Sequence, residues 1–252
     1  MINNNESVNF NKDTIFQVST LEALLAGSLD GFISIKDLKT KGDFGIGGIT
    51  GLDGAIVVLD GKWYHCKDDC RIFSVNDNEK SPKFMISSFK TDKIIDINKE
   101  INYEGMKKII NSERPTPNIM YAVKIEGKFN NIKFKVYPKQ NKPYPMGSLI
   151  ARSKRERILE NVKGTLVGYL MPNHLLDITS VEYHLHFVSE DKMYGGHLID
   201  FELSEGNVHL DYKHNLQLVV PQTEEYYKGD LYNRKFEIEE ISNIVYNKES
   251  QR

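Results

Sequence analysis

The chain has 252 residues, 33 of them Lys or Arg and 35 Asp or Glu, for a formal net charge of −2 with histidines neutral. That balance supplies no basic field for a phosphate backbone and argues against a nucleic-acid partner; a hydrophobic content of 40% and aromatic content of 10% argue against disorder. The length suits one large domain or two modest ones, and two packed halves are expected.

The N-terminus, MINNNESVNFNKDTIFQ, has neither a cationic n-region nor an apolar h-region, and no stretch approaches eighteen apolar residues. A cytoplasmic protein with no membrane partner is the expectation. Order is expected from Thr14. Ser19 or Thr20 can cap a first helix, with Glu22 in its first turn, Leu21, Leu24 and Leu25 as its apolar stripe and an end near Gly27. A second short helix is expected at 34–40.

From Phe44 the texture changes to apolar runs broken by glycine. AIVVL is too short and too β-branched for a helix, and the Asp-Gly pairs at 53–54 and 60–61 signal hairpins, so antiparallel strands are expected here. Cys66 and Cys70, in CKDDC, have no second Cys or His cluster at zinc-finger spacing and read as reduced thiols. Met85–Phe89 reads as a strand and 103–112 as a helix carrying Met106, Ile109 and Ile110. NIMYAVKIEGKF and IKFKVYP read as two strands joined through Gly127 and an Asn130-Asn131 turn. Residues 138–148 hold three prolines and a glycine and are the linker candidate. The expected division is therefore a sheet and helix domain over 14–150 and an antiparallel sheet domain over 151–252.

The second half opens with a short basic run, Lys154, Arg155 and Arg157 after Arg152, read as a solvated face. The strands GTLVGYLMP, SVEYHLHFV, HLIDFEL, NVHLDY and LQLVVP follow, closed by an acidic helical segment at 235–245. The expected fold class is α+β, a two-domain mixed protein of mostly antiparallel sheets with glycine-rich hairpins.

The chemistry sits in YHLHFVSEDKMYGGHLIDF. Residues two apart on a strand share a face, so His184 and His186 project together. The polar residues 189–195 allow the chain to reverse, and Gly195-Gly196 deliver His197 opposite the pair. Three neutral imidazoles with a vacant position describe a catalytic zinc site, whereas structural sites usually close with four ligands. His209 and His214 read as surface or hydrogen-bonded histidines, and His65 and His174 have no partner signal. No Ser or Cys triad is present. The GxGG at 45–48 lacks the strand-to-helix context of a dinucleotide site, so no organic cofactor is expected.

With these residues in view, the sequence resembles the α-acetolactate decarboxylase family over nearly its full length. The resemblance rests on FQVSTLEALLAGSLDG at 16–31, GDFGIGGITGLDG at 42–54, LDGKWY at 59–64, KQNKPYPM at 139–146, GTLVGYL at 164–170 and YHLHF…GGHLIDF at 183–201. It implies a mixed α/β protein of two domains, commonly dimeric, that turns 2-acetolactate into acetoin and CO₂. It also implies Zn²⁺ on His184, His186 and His197, the ion binding the hydroxyl and carbonyl oxygens of a small keto acid. A threonine and a glutamate in the glycine-rich hairpin, an arginine before the KPY motif and a glutamate near the C-terminus complete the implied site.

At those four positions this chain carries Gly48, Ala55, Lys135 and Ile244. Lysine keeps the positive charge but loses the bidentate fork for a carboxylate. Glu239 or Glu240 can supply the missing carboxylate if the terminal helix is shifted, so Lys135, Glu239 and Glu240 are the candidate catalytic residues. Three readings stay open. One is a zinc-dependent carboxy-lyase on 2-acetolactate or a close β-keto acid. Another is a zinc enzyme that stabilises an enolate or oxyanion in cyclisation, isomerisation or hydrolysis of a larger substrate. The third is a non-catalytic protein braced by zinc.

Overall fold

The computed structural model describes residues 12–231, apart from residues 68, 146, 177, 180 and 181. In chain order the first elements are β1 (Thr14–Val18), α1 (Leu21–Leu25), β2 (Ile33–Ser34), α2 (Ile35–Leu38), β3 (Phe44–Gly47), β4 (Ala55–Leu59) and β5 (Lys62–Cys66). Then come β6 (Ile72–Phe73), β7 (Lys80–Ser81), β8 (Phe84–Ser87), β9 (Lys93–Ile97), β10 (Ile101–Asn102), α3 (Tyr103–Glu113) and β11 (Met120–Val136). The last are α4 (Gly147–Arg152), β12 (Arg155–Leu170), β13 (Tyr183–Ser189), β14 (Gly195–Lys213), β15 (Asn215–Val219) and α5 (Glu224–Lys228). No helix among the described residues is long and apolar enough to cross a membrane.

Local chemistry accounts for the early elements. The Thr20 hydroxyl accepts from the Ala23 amide and starts α1, whose buried residues are Ala23 and Leu25 rather than the expected leucine stripe. Ser34 caps α2 in the same way. Asp60 and Gly61, both at positive φ, turn β4 tightly into β5, the Leu59–Lys62 pair closing the hairpin. Asp53-Gly54 makes no such turn; it ends the wider loop between β3 and β4. α3 buries Tyr103, Met106 and Ile110.

A seven-stranded sheet has the order β15-β1-β8-β3-β4-β5-β6, antiparallel except where β15 lies parallel to β1. The second sheet runs β10-β14-β11-β12-β13, with β9 also on β14. Because β13 pairs back onto the start of β14, the four strands β14, β11, β12 and β13 close on themselves. Phe129, Phe134, Phe187 and Phe201 pack within this closed set, with ring centroids 5.2–5.6 Å apart. Such aromatic pairs are worth about 0.5–1.5 kcal/mol each beyond the area they bury. One apolar core joins these rings to Ile46, Val57 and Met85 of the first sheet. Ile56, Val58, Phe84 and Ile86 face the other way into a smaller cluster with Ile35 and Leu38. Both faces of β4 are thus buried, which is why its sequence is apolar without alternation.

Two strand expectations are corrected. Residues 120–136 form one strand, not two. Gly127 lies between Gly164 and Gly206 on the neighbouring strands, and Asn130-Asn131 falls where the register of β11 shifts, so the apparent turn is an irregularity in a continuous ladder. HLIDFEL and NVHLDY are likewise one strand, β14. The sheets do not divide at residue 150: β11 pairs with β12 across it, and β15 returns to the first sheet. The proline-rich segment is a strap, with the Gln140 amide donating to the Gly51 carbonyl and Lys142 paired with Asp30 and Glu225. The basic run lies along β12, where Lys154 is bonded to Glu156 and the Arg157 Nε donates to the Asp69 carbonyl. The acidic segment 235–245 lies outside the described residues.

Candidate metal centre

β13 carries His184 and His186 on its alternate positions, and the hairpin to β14 sets His197 directly opposite His186. The ring centroids are 5.2 Å apart for His184 and His186, 4.8 Å for His184 and His197, and 5.1 Å for His186 and His197. One ligand nitrogen from each ring lies within 4.8 Å of the others. His186 is 3% exposed, and its Nδ1 donates to the Ile56 carbonyl of β4 at 3.1 Å. That bond assigns the proton to Nδ1 and leaves the Nε2 lone pair for an ion. The second sheet therefore provides the ligands and the first sheet orients one of them.

Burial pushes all three histidines down, His186 to about 4 and His184 and His197 well below the usual imidazole range. Each also feels the positive charge of Lys135. His184 and His197 are half-buried and keep some exposed surface. Three imidazoles held neutral near pH 7, with converging lone pairs, fit a zinc ion.

Position 168 makes this geometry possible. Gly168 on β12 faces Leu185 on β13, and a Cβ there would overlap the His184 carbonyl oxygen. Glycine lets the two backbones approach closely beside the ligands.

Lys135 is 1% exposed on β11 and paired in register with His197. Burial and the charge of Lys154 push it down to about 7, against a smaller upward pull from Glu156. Ala55 precedes the Ile56 carbonyl that holds His186, and Gly48 lies on the loop between β3 and β4, so both substituted positions belong to this neighbourhood. Glu239, Glu240 and Ile244 lie outside the described residues. The remaining histidines are elsewhere: the His65 Nε2 meets the Asp53 carbonyl at 2.6 Å, and His209 contacts Thr91 and Glu126 on β14's outer side. Cys66 and Cys70 are buried free thiols, both pushed up by burial.

Lys83 is the residue that sequence pattern does not mark. It is 7% exposed, its Nζ donates to the Thr179 carbonyl at 2.8 Å, and its charge presses on His184. Burial pushes it down to about 7, Glu22 opposing weakly. The one local signal is a lysine wedged between Pro82 and the apolar run of β8.

Comparison with known proteins gives a consistent picture. The family model described as alpha-acetolactate decarboxylase matches residues 15–233. The alpha-acetolactate decarboxylase of Methanosarcina mazei is 35% identical over 230 residues, covering 91% of this chain and 78% of that one. That of Bacillus subtilis strain 168 is 35% identical over 225 residues, covering 88% and 87%. A crystal structure of the Bacillus subtilis strain 168 protein superposes with a TM-score of 0.88 at 32% identity, over 92% of this chain and 99% of that chain.

Proposed function

The chain belongs to the alpha-acetolactate decarboxylase family, a family of lyases, and from that premise we propose that it is a zinc-dependent carboxy-lyase acting on 2-acetolactate or a close β-keto acid. The observation that carries the reading is the convergence of His184, His186 and His197 beside the buried Lys135. Bound zinc supplies a Lewis acid that polarises the substrate's hydroxyl and carbonyl oxygens and takes up the negative charge left when CO₂ departs.

The protein's own groups do the rest. The Ile56 carbonyl fixes the His186 ring, and the β13–β14 hairpin fixes His197 against it. Lys135 meets the substrate carboxylate, and the arriving anion restores the ammonium form that burial disfavours. Lysine holds that carboxylate as a point charge, with less directional control than a guanidinium. The replacing proton comes from a carboxylic acid, for which Glu239 and Glu240 are the candidates.

One observation favours a second reading. A Cβ at Gly48 would meet only Leu52 at 3.4 Å, and Ala55 puts a methyl group where the resemblance implies a carboxylate. The enlarged, less acidic recess suits enolate or oxyanion stabilisation on a larger substrate. The deciding experiment loads the purified chain with zinc, measures the metal, and records CO₂ and acetoin from racemic 2-acetolactate. Turnover at an ordinary enzymatic rate supports the first reading; one zinc per chain with acetoin no faster than the uncatalysed background supports the second.

A further inference from the structure

Among the described residues, the charges acting on the three histidines are one-sided: Lys135 acts on all three and Lys83 on His184. Lys83 immediately precedes β8, and its carbonyl accepts from the Gly48 amide and the Ser81 hydroxyl, both at 3.0 Å. Its side chain runs inward to the Thr179 carbonyl on the segment entering β13, the strand that carries His184. An ammonium has three protons to donate, and among the described residues Thr179 is its one hydrogen-bond acceptor, with no carboxylate in salt-bridge contact. Glu22 acts on it only at a distance. Lys135 acts on the same histidines from β11, where it is paired in register with His197.

Two buried lysines thus flank a site whose ligands are three neutral imidazoles, and a divalent ion adds to the same sign. Leaving a buried ammonium without a counter-ion costs several kcal/mol, so such a group is usually completed by an anion or kept for function. Neither Ala55 nor Gly48 sets a negative charge against an incoming anion, and a Cβ at Gly48, whose amide donates to the Lys83 carbonyl, would meet only the Leu52 side chain at 3.4 Å.

We propose that Lys83 is a specificity-determining residue that receives a second anionic group of the substrate, so that the site takes a dianionic hydroxy- or keto-acid in preference to a monoanion. The inference rests on the reading that the histidines hold zinc and Lys135 holds a first carboxylate, and it names the substrate class within that reading. Lys135 and the ion take the end of the substrate that reacts; Lys83, some way along the recess towards Gly48, takes the far carboxylate.

The test uses the zinc-loaded chain and two inert probes, lactate and malate, which share an α-hydroxy carboxylate and differ by one carboxylate. Affinities come from titration calorimetry, and far-UV circular dichroism and metal content confirm that each variant is folded and loaded. The expected result is malate binding about tenfold tighter than lactate or better, as a charge-assisted hydrogen bond provides. Lys83→Met should bring malate down to the affinity of lactate while lactate changes by less than about threefold, and Lys83→Arg should restore part of the preference. Equal affinities in the wild type, or a malate preference that survives Lys83→Met, would overturn the role of Lys83. Should lactate bind equally well with and without zinc, the metal-centre reading fails instead, and the inference falls with its premise.

Discussion

Replacing Lys83 by methionine should stabilise the metal-free chain at pH 7 and scarcely at all at pH 9. In the folded chain burial pushes the Lys83 amine from 10.5 to about 7. Between those two values the unfolded chain holds a proton that the folded chain has released, so wild-type stability rises with pH. The burden is full below about 7 and is lifted as the pH climbs towards 10.5. At about 1.4 kcal/mol per pH unit, it is on the order of 4 kcal/mol at pH 7 and about 2 kcal/mol at pH 9. Methionine removes the burden at both pH values but strands the Thr179 carbonyl, which now accepts from Lys83 at 2.8 Å; an unmade buried hydrogen bond costs about 1–3 kcal/mol. The net gain is therefore about 1–3 kcal/mol at pH 7 and close to zero at pH 9. Urea unfolding of both proteins at the two pH values measures it. The lost hydrogen bond is the same at either pH, so the difference between the two ΔΔG values isolates the proton linkage. A ΔΔG that does not change with pH would show that the amine stays charged and hydrated, and would refute the electrostatic picture of the site.

Three further outcomes follow from the same geometry. His186→Ala removes a ligand and frees the Ile56 carbonyl, so stoichiometric zinc should be lost on dialysis; normal metal content by plasma emission would refute the ligand assignment. Lys135→Ala should keep its zinc and bind an anionic substrate at least about tenfold more weakly, a loss set by one charge-assisted bond, and an unchanged KM and kcat would remove Lys135 from the site. Gly168→Ala should force β13 away from β12 at the His184 carbonyl, lowering stability by about 1–3 kcal/mol through overpacking and weakening zinc binding with it, both readable by chemical unfolding and metal titration.

The cluster of three histidines was legible because the relation among them is local. Two histidines two residues apart need only a strand to share a face, and a hairpin with a Gly-Gly return delivers the third. Thr20 and the Asp60-Gly61 turn were legible for the same reason, since each signal acts within four residues. What escaped is long-range. Asn130-Asn131 looks like a turn until Gly127 is seen between two other glycines on strands nearly 40 and 80 residues away, a spacing at which chain statistics give no warning. The hydrogen bond of Lys83 to Thr179 spans 96 residues, and no periodicity marks it. Proline content at 138–148 reports backbone stiffness, and a stiff segment serves as a strap as readily as a linker.

The parallel pairing of β15 with β1 bears on how the molecule is made. Thr14 meets Asn215 and Val18 meets Val219, so a strand finished early in synthesis waits for one about 200 residues later. Until then β1 has a partner on one side only, β8, and presents an open hydrogen-bonding edge to the cell. Topologies dominated by such distant pairings fold slowly and spend longer exposed to aggregation. A ribosome that stalls before residue 215 would release a chain whose first sheet lacks its outer strand, although the second sheet and its three histidines have already been synthesised.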